Sequence, residues 1–373
     1  MRENLKIGIL GGGQLGAMLI RHAIDFGLDI SVMDKNDAAP SSRYASSFYC
    51  ADPLSFDDVI EFGKGLDIIT IEMEAVNTAA LRQLEKSGVK VFPTPDNIEL
   101  IQDKFTQKQF LISQGIPVAP GEAVDGKADL HNFENRLPLC LKKRRNGYDG
   151  YGVMVLRSAA DIQTAFDEPS LLEELVDIKQ EIAVIVARNE QGVVKSYAPA
   201  AMVFSEEKFI LDYQIAPAQL DGELAGQATA LAEKIAVALG LVGIVAVEMF
   251  VTKDDRILVN ELAPRPHNSG HHTIEASVTS QYEQLLRAIL GLPLGDPTLR
   301  TPSFMLNILD NASFSNNKEE KIKELLDLPG VHLHWYNKKG GQRPGRKIGH
   351  ITITDSTIDK IVSKAETVRK IIN

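Results

Sequence analysis

Two glutamates flank a short turn late in the chain. Val247-Glu248-Met-Phe-Val251 and Ile257-Leu-Val-Asn260-Glu261-Leu262 are apolar runs on either side of Thr252-Lys-Asp-Asp255, the pattern of a β-hairpin. Pairing outward from a turn centred near Asp254 sets Glu248 opposite Asn260 or Glu261. Carboxylates brought together among Val, Ile, Leu, Phe and Met repel and lose hydration unless a cation sits between them. Hard oxygen donors suit Mg²⁺, which commonly bridges substrate phosphates, and Mn²⁺ accepts the same donors. The following loop, Ala263-Pro264-Arg265-Pro266-His267-Asn268-Ser-Gly270-His271-His272, brackets Arg265 with prolines. An arginine so held can stabilise charge on a transferring phosphoryl group. His267 and His271 also have a spacing compatible with zinc, but glycine interrupts the loop and no Cys lies nearby.

Two further segments read as phosphate or nucleoside binders. Lys142-Lys-Arg-Arg-Asn146-Gly147-Tyr148-Asp149-Gly150-Tyr151-Gly152 joins a strand to a glycine-rich loop, where backbone N–H groups and cationic side chains can together neutralise a polyphosphate. Leu171-Leu-Glu173-Glu174-Leu175-Val176 is an apolar strand interrupted by acids, followed by Glu181. Such a strand can offer backbone polar groups to an adenine edge and a carboxylate to ribose hydroxyls. Near the N-terminus, Gly11-x-Gly13-x-x-Gly16 follows a strand and opens a helix, and Asp34 ends the next strand. That is the context of a dinucleotide fingerprint. NAD binding, a different phosphorylated ligand and a simple tight turn all remain open for this loop.

The elements that must position these residues fall into three parts. Lys6–Leu10, Asp29–Met33, Asp67–Ile71 and Val89–Phe92 are short apolar strands, with helices predicted over Gln14–Phe26 and Thr78–Lys86. This alternation argues for a doubly wound parallel α/β sheet over residues 1–97. Pro93 and Pro95 end it, and Asp96 is read as the N-cap of a helix through Gln114. From Gly115 strands and glycine turns become denser, giving a central α+β domain over 98–298 with a lid at about 115–180. Its helices are predicted over Glu223–Leu239 and Gln281–Leu290. A smaller strand-rich domain, 299–373, includes Val331–Trp335 and Ile348–Thr354.

The whole chain of 373 residues carries 40 Lys+Arg against 50 Asp+Glu. An acidic chain is poorly suited to polymeric nucleic acid or anionic membranes. No apolar run approaches the ~20 residues of a bilayer span. The two cysteines, Cys50 and Cys140, have no redox or metal spacing, and the N-terminus does not read as a signal peptide. A cytoplasmic protein is the expectation.

Asn260-Glu-Leu-Ala-Pro-Arg-Pro-His-Asn-Ser-Gly-His271, together with Gly147-Tyr-Asp-Gly150, Asp103-Lys104-Phe-Thr-Gln-Lys108 and His332-Leu-His-Trp-Tyr336, resembles the 5-(carboxyamino)imidazole ribonucleotide synthases of the ATP-grasp superfamily. The resemblance runs from about Lys6 to Thr354. It implies a pre-ATP-grasp domain, an ATP-grasp domain and ATP- and bicarbonate-dependent carboxylation of 5-aminoimidazole ribonucleotide through carboxyphosphate, in purine biosynthesis. By that resemblance Lys104 and Lys142 contact ATP phosphates, the loop from Gly147 through Tyr148, Asp149, Gly150, Tyr151 and Gly152 to Val153 closes over them, and Glu173, Glu174, Leu175, Val176 and Glu181 hold adenosine. Glu248 and Glu261 ligate Mg²⁺ with Asn260 alongside, and Arg265, Lys142 and His267 act in catalysis. Gln14, Leu15, Glu74, Tyr148, Asp149, Arg265, His267 and Asn268 surround the ribonucleotide, whose 5′-phosphate falls to Lys338, Arg346 and Lys347. The family's amino-terminal glycine loop faces ribonucleotide, so no NAD is expected, and a homodimer is. Tyr151 stands where Arg or Lys is usual, Asn146 where Gly is usual, and Ala75 where Asn is usual. Pro199-Ala-Ala-Met-Val-Phe204 lacks the family's nucleotide-side His. The rival readings are a formate-dependent glycinamide ribonucleotide transformylase and an NAD-dependent oxidoreductase.

Overall fold

The computed structural model describes residues 5–147, 150–205, 210–311, 314, 316–339 and 345–372. Three sheets organise them. The first is parallel, in the order Ser47–Cys50, Asp29–Asp34, Lys6–Leu10, Ile68–Ile71 and Lys90–Phe92. Its inner strands are continuous apolar runs because helices cover both faces; Ile9, Val32, Ile69 and Ile71 are fully buried. Strand order reverses beside Lys6–Leu10, so the switch point lies where Leu10 leads into Gly11 and Ile71 into Glu72. Ligand crevices of open α/β sheets form at such points. The edge strand Ser47–Cys50 and the helix Phe56–Gly63 were not expected from sequence.

The helix expected to run unbroken from Asp96 to Gln114 is two helices. Thr94, not Asp96, caps the first (Pro95–Gln102), its hydroxyl accepting from the Asn97 N–H, with Pro95 at its opening. Asp103 leaves helical geometry and caps the second (Lys104–Ser113) by accepting from the N–H groups of Phe105 and Thr106. The break fixes Lys104 at a helix start, and Asp103 also pairs with Arg144 at 2.7 Å.

A four-stranded antiparallel sheet follows, in the order Gly121–Val124, Ser170–Glu174, Leu139–Lys143, Val153–Leu156. Alternation sends Leu139, Leu141, Leu156, Leu172 and Val124 into its own core. Cys140 and Lys142 therefore take the opposite face. Cys140 opposes Glu173 and Lys142 opposes Leu171, which leaves Lys142 and Glu173 as diagonal neighbours on that face.

The largest sheet is antiparallel: Ile257–Ala263, Gly243–Thr252, Ile178–Arg188, Ala200–Phe204, Leu211–Ala216, Ser303–Leu309, Lys347–Thr354 and Val331–Trp335, with Val194–Ser196 paired beside Ile178–Arg188. The strand-rich C-terminal part thus continues the central sheet through Leu211–Ala216 against Ser303–Leu309. One face of the central strands carries Ile182, Val184, Val186, Val245, Val247 and Val251 beneath the helix Gly222–Ala238. The opposite face carries the polar row described next. The helix Ile358–Ile372 covers the apolar face of the C-terminal strands through Ile361, Ala365, Val368 and Ile372.

Candidate active site

Strand register delivers the two glutamates. Glu248 pairs directly with Glu261, and Met249 pairs with Val259, so Asn260 is the extra residue of a β-bulge. A bulge turns consecutive side chains toward the same side, which is how Asn260 and Glu261 both serve one face. Glu248 also opposes Ala183, and Glu181 opposes Phe250 two residues further along. Glu181, Glu248 and Glu261 therefore share a face.

The lysines come from the neighbouring elements. Lys142 donates to Asn260 Oδ1 at 2.7 Å and pairs with Glu173 Oε2 at 2.6 Å. Lys104 pairs with Glu261. Lys108, which sequence reasoning left without a role, pairs with Glu173 Oε1 at 2.6 Å and donates to the Ala119 carbonyl. Both carboxylate oxygens of buried Glu173 are thus taken by ammonium groups. Glu174, Leu175 and Val176 line an open cleft of about 470 Å³ with Arg136, Pro138, Leu139 and Asp177.

Electrostatics separate the facing pair. Burial, then the charges of Glu261 and Glu181, push Glu248 up to about 8. Burial would raise Glu261 too, but the adjacent Lys104 ammonium outweighs it and holds the carboxyl at about 2. Burial lifts Glu181 to about 7. In Lys142 burial is outweighed by Glu173, so the ammonium is held well above its ordinary range. Ionisation is thus favoured at Glu261 and disfavoured at Glu248, since two adjacent carboxylates resist ionising together.

A pH dependence follows. Glu248 loses its proton only near 8 in the folded chain, against an ordinary value of 4.5. The native state therefore binds more protons between those values, and the stability of the ligand-free protein falls as pH rises through that window. Glu261 acts oppositely, and its contribution is lost only as pH falls toward 2. Buried His271, His272 and His350 have their pKa values lowered by burial and oppose this trend below about 6.5, whereas Glu181 reinforces it. Thermal melts from pH 6.5 to 8 should therefore show a falling Tm, and Glu248→Gln should reduce the slope.

The Arg265 loop sits beside this row. Arg265 Nε lies 2.9 Å from Glu74 Oε1, so those two expected contacts meet. His267 Nε2 lies 3.5 Å from Glu248 Oε1, and its Nδ1 bonds with the Ser269 hydroxyl at 2.9 Å. Asn268 donates to Asn307 Oδ1 at 3.2 Å. Buried Gln281, unremarked in the sequence, clamps the loop by accepting from the His267 N–H at 2.9 Å and donating to the His267 carbonyl at 2.8 Å. His271 points elsewhere, with its Nδ1 at 3.1 Å from the Tyr282 hydroxyl. Among the described residues no group of three His, Cys, Asp or Glu side chains is arranged to hold a metal, so the zinc spacing of His267 and His271 has no counterpart there.

The amino-terminal glycine loop has a ligand from its own chain. Glu72 Oε1 accepts from the Gly13 N–H at 2.5 Å and Oε2 from the Gly16 N–H at 2.6 Å. Those amides at a helix start are the donors that a dinucleotide pyrophosphate would need. A Cβ on Gly11 would lie 2.4 Å from Glu72 Cγ, and one on Gly13 2.5 Å from Oε1. A buried carboxylate of the same chain therefore accounts for the glycines. Asp34 accepts from the Gly12 N–H at 2.7 Å, so it too serves the loop. Gly13→Ala should destabilise the fold by about 1–3 kcal/mol, and Glu72→Ala in the same chain should restore part of the lost Tm. Gln14 opens the following helix half-buried, whereas the Leu15 side chain packs in the core, leaving its backbone for any ligand contact.

The remaining expected residues are placed as follows. Tyr148 and Asp149 lie outside the described residues. Gly150 and Gly152 have φ of +77° and +84°, and Asn146 has +61°. Asn is among the few side chains that tolerate this region. Tyr151 offers its ring to Lys143 Nζ at 4.8 Å. Val153 starts the strand opposite Lys142. Lys338 Nζ lies 5.5 Å from the Tyr336 ring centroid, Arg346 donates to the Lys339 carbonyl at 2.9 Å, and Lys347 is buried. Phe204 packs beside an apolar group of Ala183, Met202, Leu211 and Met305, and Ala75 is exposed.

A switch-point crevice, a separate antiparallel sheet presenting Lys142 and a larger sheet presenting paired acids define an ATP-grasp protein. Family comparisons agree: the ribonucleotide synthetase preATP-grasp domain matches residues 4–102, the ATP-grasp domain 109–282, and the phosphoribosylaminoimidazole carboxylase C-terminal domain 303–364. The N5-carboxyaminoimidazole ribonucleotide synthase of Synechococcus elongatus is 37% identical over 93% of this chain and 89% of its own. That of Brucella melitensis is 38% identical over 94% and 97%. The Aspergillus clavatus N5-carboxyaminoimidazole synthase, solved with ADP and 5-aminoimidazole ribonucleotide, superposes with a TM-score of 0.91 at 33% identity, covering 100% of this chain and 99% of that one. The chain belongs to the N5-carboxyaminoimidazole ribonucleotide synthase family of ATP-grasp ligases.

Proposed function

We propose that this protein carboxylates the exocyclic amine of 5-aminoimidazole ribonucleotide at the expense of ATP and bicarbonate, in purine biosynthesis. The observation that carries the reading is the ladder pairing of Glu248 with Glu261, with Lys142 fastened to Asn260 between them and the lysine-bearing sheet. Two half-neutralised carboxylates with an amide oxygen alongside fit Mg²⁺, whose remaining coordination would come from phosphate oxygens and water. Mn²⁺ suits the same donors. When bound, the ion would neutralise charge developing on the phosphates.

The chain's own residues do the rest. Lys142 and Lys104 are positioned to give up their carboxylate partners for phosphate oxygens. The cleft at Glu174–Val176 takes adenine, and Glu181 takes ribose. A lid at about 115–180, carrying the Gly147–Val153 loop, excludes water from the labile intermediate. Bicarbonate oxygen attacks the γ-phosphorus, the bond to the ADP oxygen breaks, and carboxyphosphate forms. The carbon–oxygen bond to phosphate then breaks, either as the amine nitrogen bonds to the carboxyl carbon or beforehand to release CO₂ that the amine captures, and the amine loses a proton. Arg265, held by Glu74, and His267, held by Ser269 and Gln281, face this second step; Asn268, Gln14 and Glu74 orient the ribonucleotide, with Lys338, Arg346 and Lys347 on its 5′-phosphate. The protein acts as a cytoplasmic homodimer with domains over 1–97, 98–298 and 299–373.

The test is ADP release by the purified protein. It should require both bicarbonate and 5-aminoimidazole ribonucleotide. Release supported instead by formate with glycinamide ribonucleotide would favour the transformylase reading, and neither combination supporting it would end the carboxylase reading.

A further inference from the structure

Five aromatic rings from widely separated positions stand in one column. His22 stacks on Tyr282 with centroids 5.4 Å apart, and Tyr282 faces His271 at 6.3 Å. His271 faces His350 at 4.6 Å, and His350 lies parallel to His334 at 4.2 Å with 7° between the planes. Tyr282, His271 and His350 are buried. Polar ties fix the rings' rotation: His271 Nδ1 with the Tyr282 hydroxyl at 3.1 Å, His350 Nδ1 with the Tyr336 hydroxyl at 2.8 Å, and His334 Nε2 with Glu275 at 2.8 Å. His350 Nε2 is buried and has no protein partner.

The column joins segments that otherwise meet in different parts of the fold. His22 rides the helix opened by Gln14. His271 ends the loop of Arg265, His267 and Asn268. His350 lies three residues beyond Lys347 on one strand, and His334 lies on its neighbour, four residues ahead of Lys338. The Gln14 helix, the Arg265–Asn268 loop and the segments of Lys338 and of Arg346 and Lys347, all expected to touch the ribonucleotide, therefore each contribute one ring. His350 is the middle of the three imidazoles at one end of the column, and its strand partner Asn307 holds Asn268. A stacked imidazole adds geometry-specific attraction beyond its burial, so the column sets how far the phosphate side lies from the carboxylation side.

We propose that His350 is a positioning residue for the ribonucleotide, acting through the His271–His350–His334 stack to hold the Lys347 strand against the Arg265–Asn268 loop. The proposal rests on the carboxylase reading. Its role is neither proton transfer nor contact with substrate, and the nucleotide end of the cleft does not depend on it.

The experiment compares His350→Ala and His350→Phe with the wild-type protein in the ADP-release assay, alongside calorimetric titration with 5-aminoimidazole ribonucleotide. His350→Ala should raise the KM and Kd for the ribonucleotide at least tenfold while the KM for ATP stays within twofold. His350→Phe restores the ring without the Tyr336 hydrogen bond and should recover most of the loss. Equal rises in both KM values, no change in the ribonucleotide KM, or a Phe variant as impaired as the Ala variant would each overturn the proposal. If His350→Ala does not fold, His334→Ala at the end of the column should reproduce the selective KM rise and His334→Phe should recover most of it, and an unchanged ribonucleotide KM in His334→Ala would overturn the proposal. A wild-type protein that fails to couple ADP release to the ribonucleotide would instead refute the carboxylase reading itself, before any variant is measured.

Discussion

Glu261→Gln is expected to lower ADP release by two to three orders of magnitude while the protein stays folded. The amide still accepts from Lys104, so the local hydrogen bonding survives, and the neighbouring register is set by main-chain pairing with Glu248. What is lost is the one charge of the pair that persists near neutrality, because Glu248 keeps its proton up to about 8. Removing a preorganised charge or donor from a phosphoryl or acyl transfer site typically costs about 10²–10³ in rate. Initial rates at saturating ATP, with circular dichroism to verify folding, check this. Turnover within threefold of wild type would mean that the hairpin acids do not face the phosphates.

Arg265→Ala is the second large effect. Arg265 and Glu74 are partly buried partners, so truncating one leaves the other's charge uncompensated. The kcat/KM for the ribonucleotide should fall about 10²–10³-fold, with ATP affinity little changed because Lys104 and Lys142 are untouched. Glu74→Gln should show part of the same defect, and the double variant should be less impaired than the product of the two single losses. Full additivity would show that the pair does not work as a unit.

Much of this arrangement was legible beforehand because it is local. Short apolar runs separated by helical spacing specify the parallel sheet, and the hairpin's turn residues bring Glu248 opposite the Asn260–Glu261 pair. What local patterning could not decide was whether Asn260 or Glu261 faced Glu248, since a one-residue bulge costs nothing visible in composition. Glu72 escaped notice for another reason. The glycine spacing reports only that something approaches closely, and the approaching group comes from 56 residues away. The break at Asp103 was hidden by apolar spacing that continues across it, although a carboxylate able to cap is also one able to hold Arg144. The edge strand Ser47–Cys50 is largely exposed and carries no alternation to detect. By contrast, Ile361, Ala365, Val368 and Ile372 do recur at helical spacing, so the last helix could have been read and was not. The ring column has no sequence signature, since its members are aligned only by the finished fold.

The antiparallel ladder that runs without interruption from Ile257–Ala263 to Val331–Trp335 has a bearing on how this polypeptide can be cut. Trimming the chain ahead of Ser303 would not release an appendage. It would bare the Leu211–Ala216 strand along the length now paired with Ser303–Leu309, leaving a row of open amides and carbonyls next to Tyr213 and Ile215. Naked strand borders of that kind recruit other molecules and precipitate, so the last fifth of the polypeptide doubles as the guard that keeps the nucleotide-binding platform from aggregating.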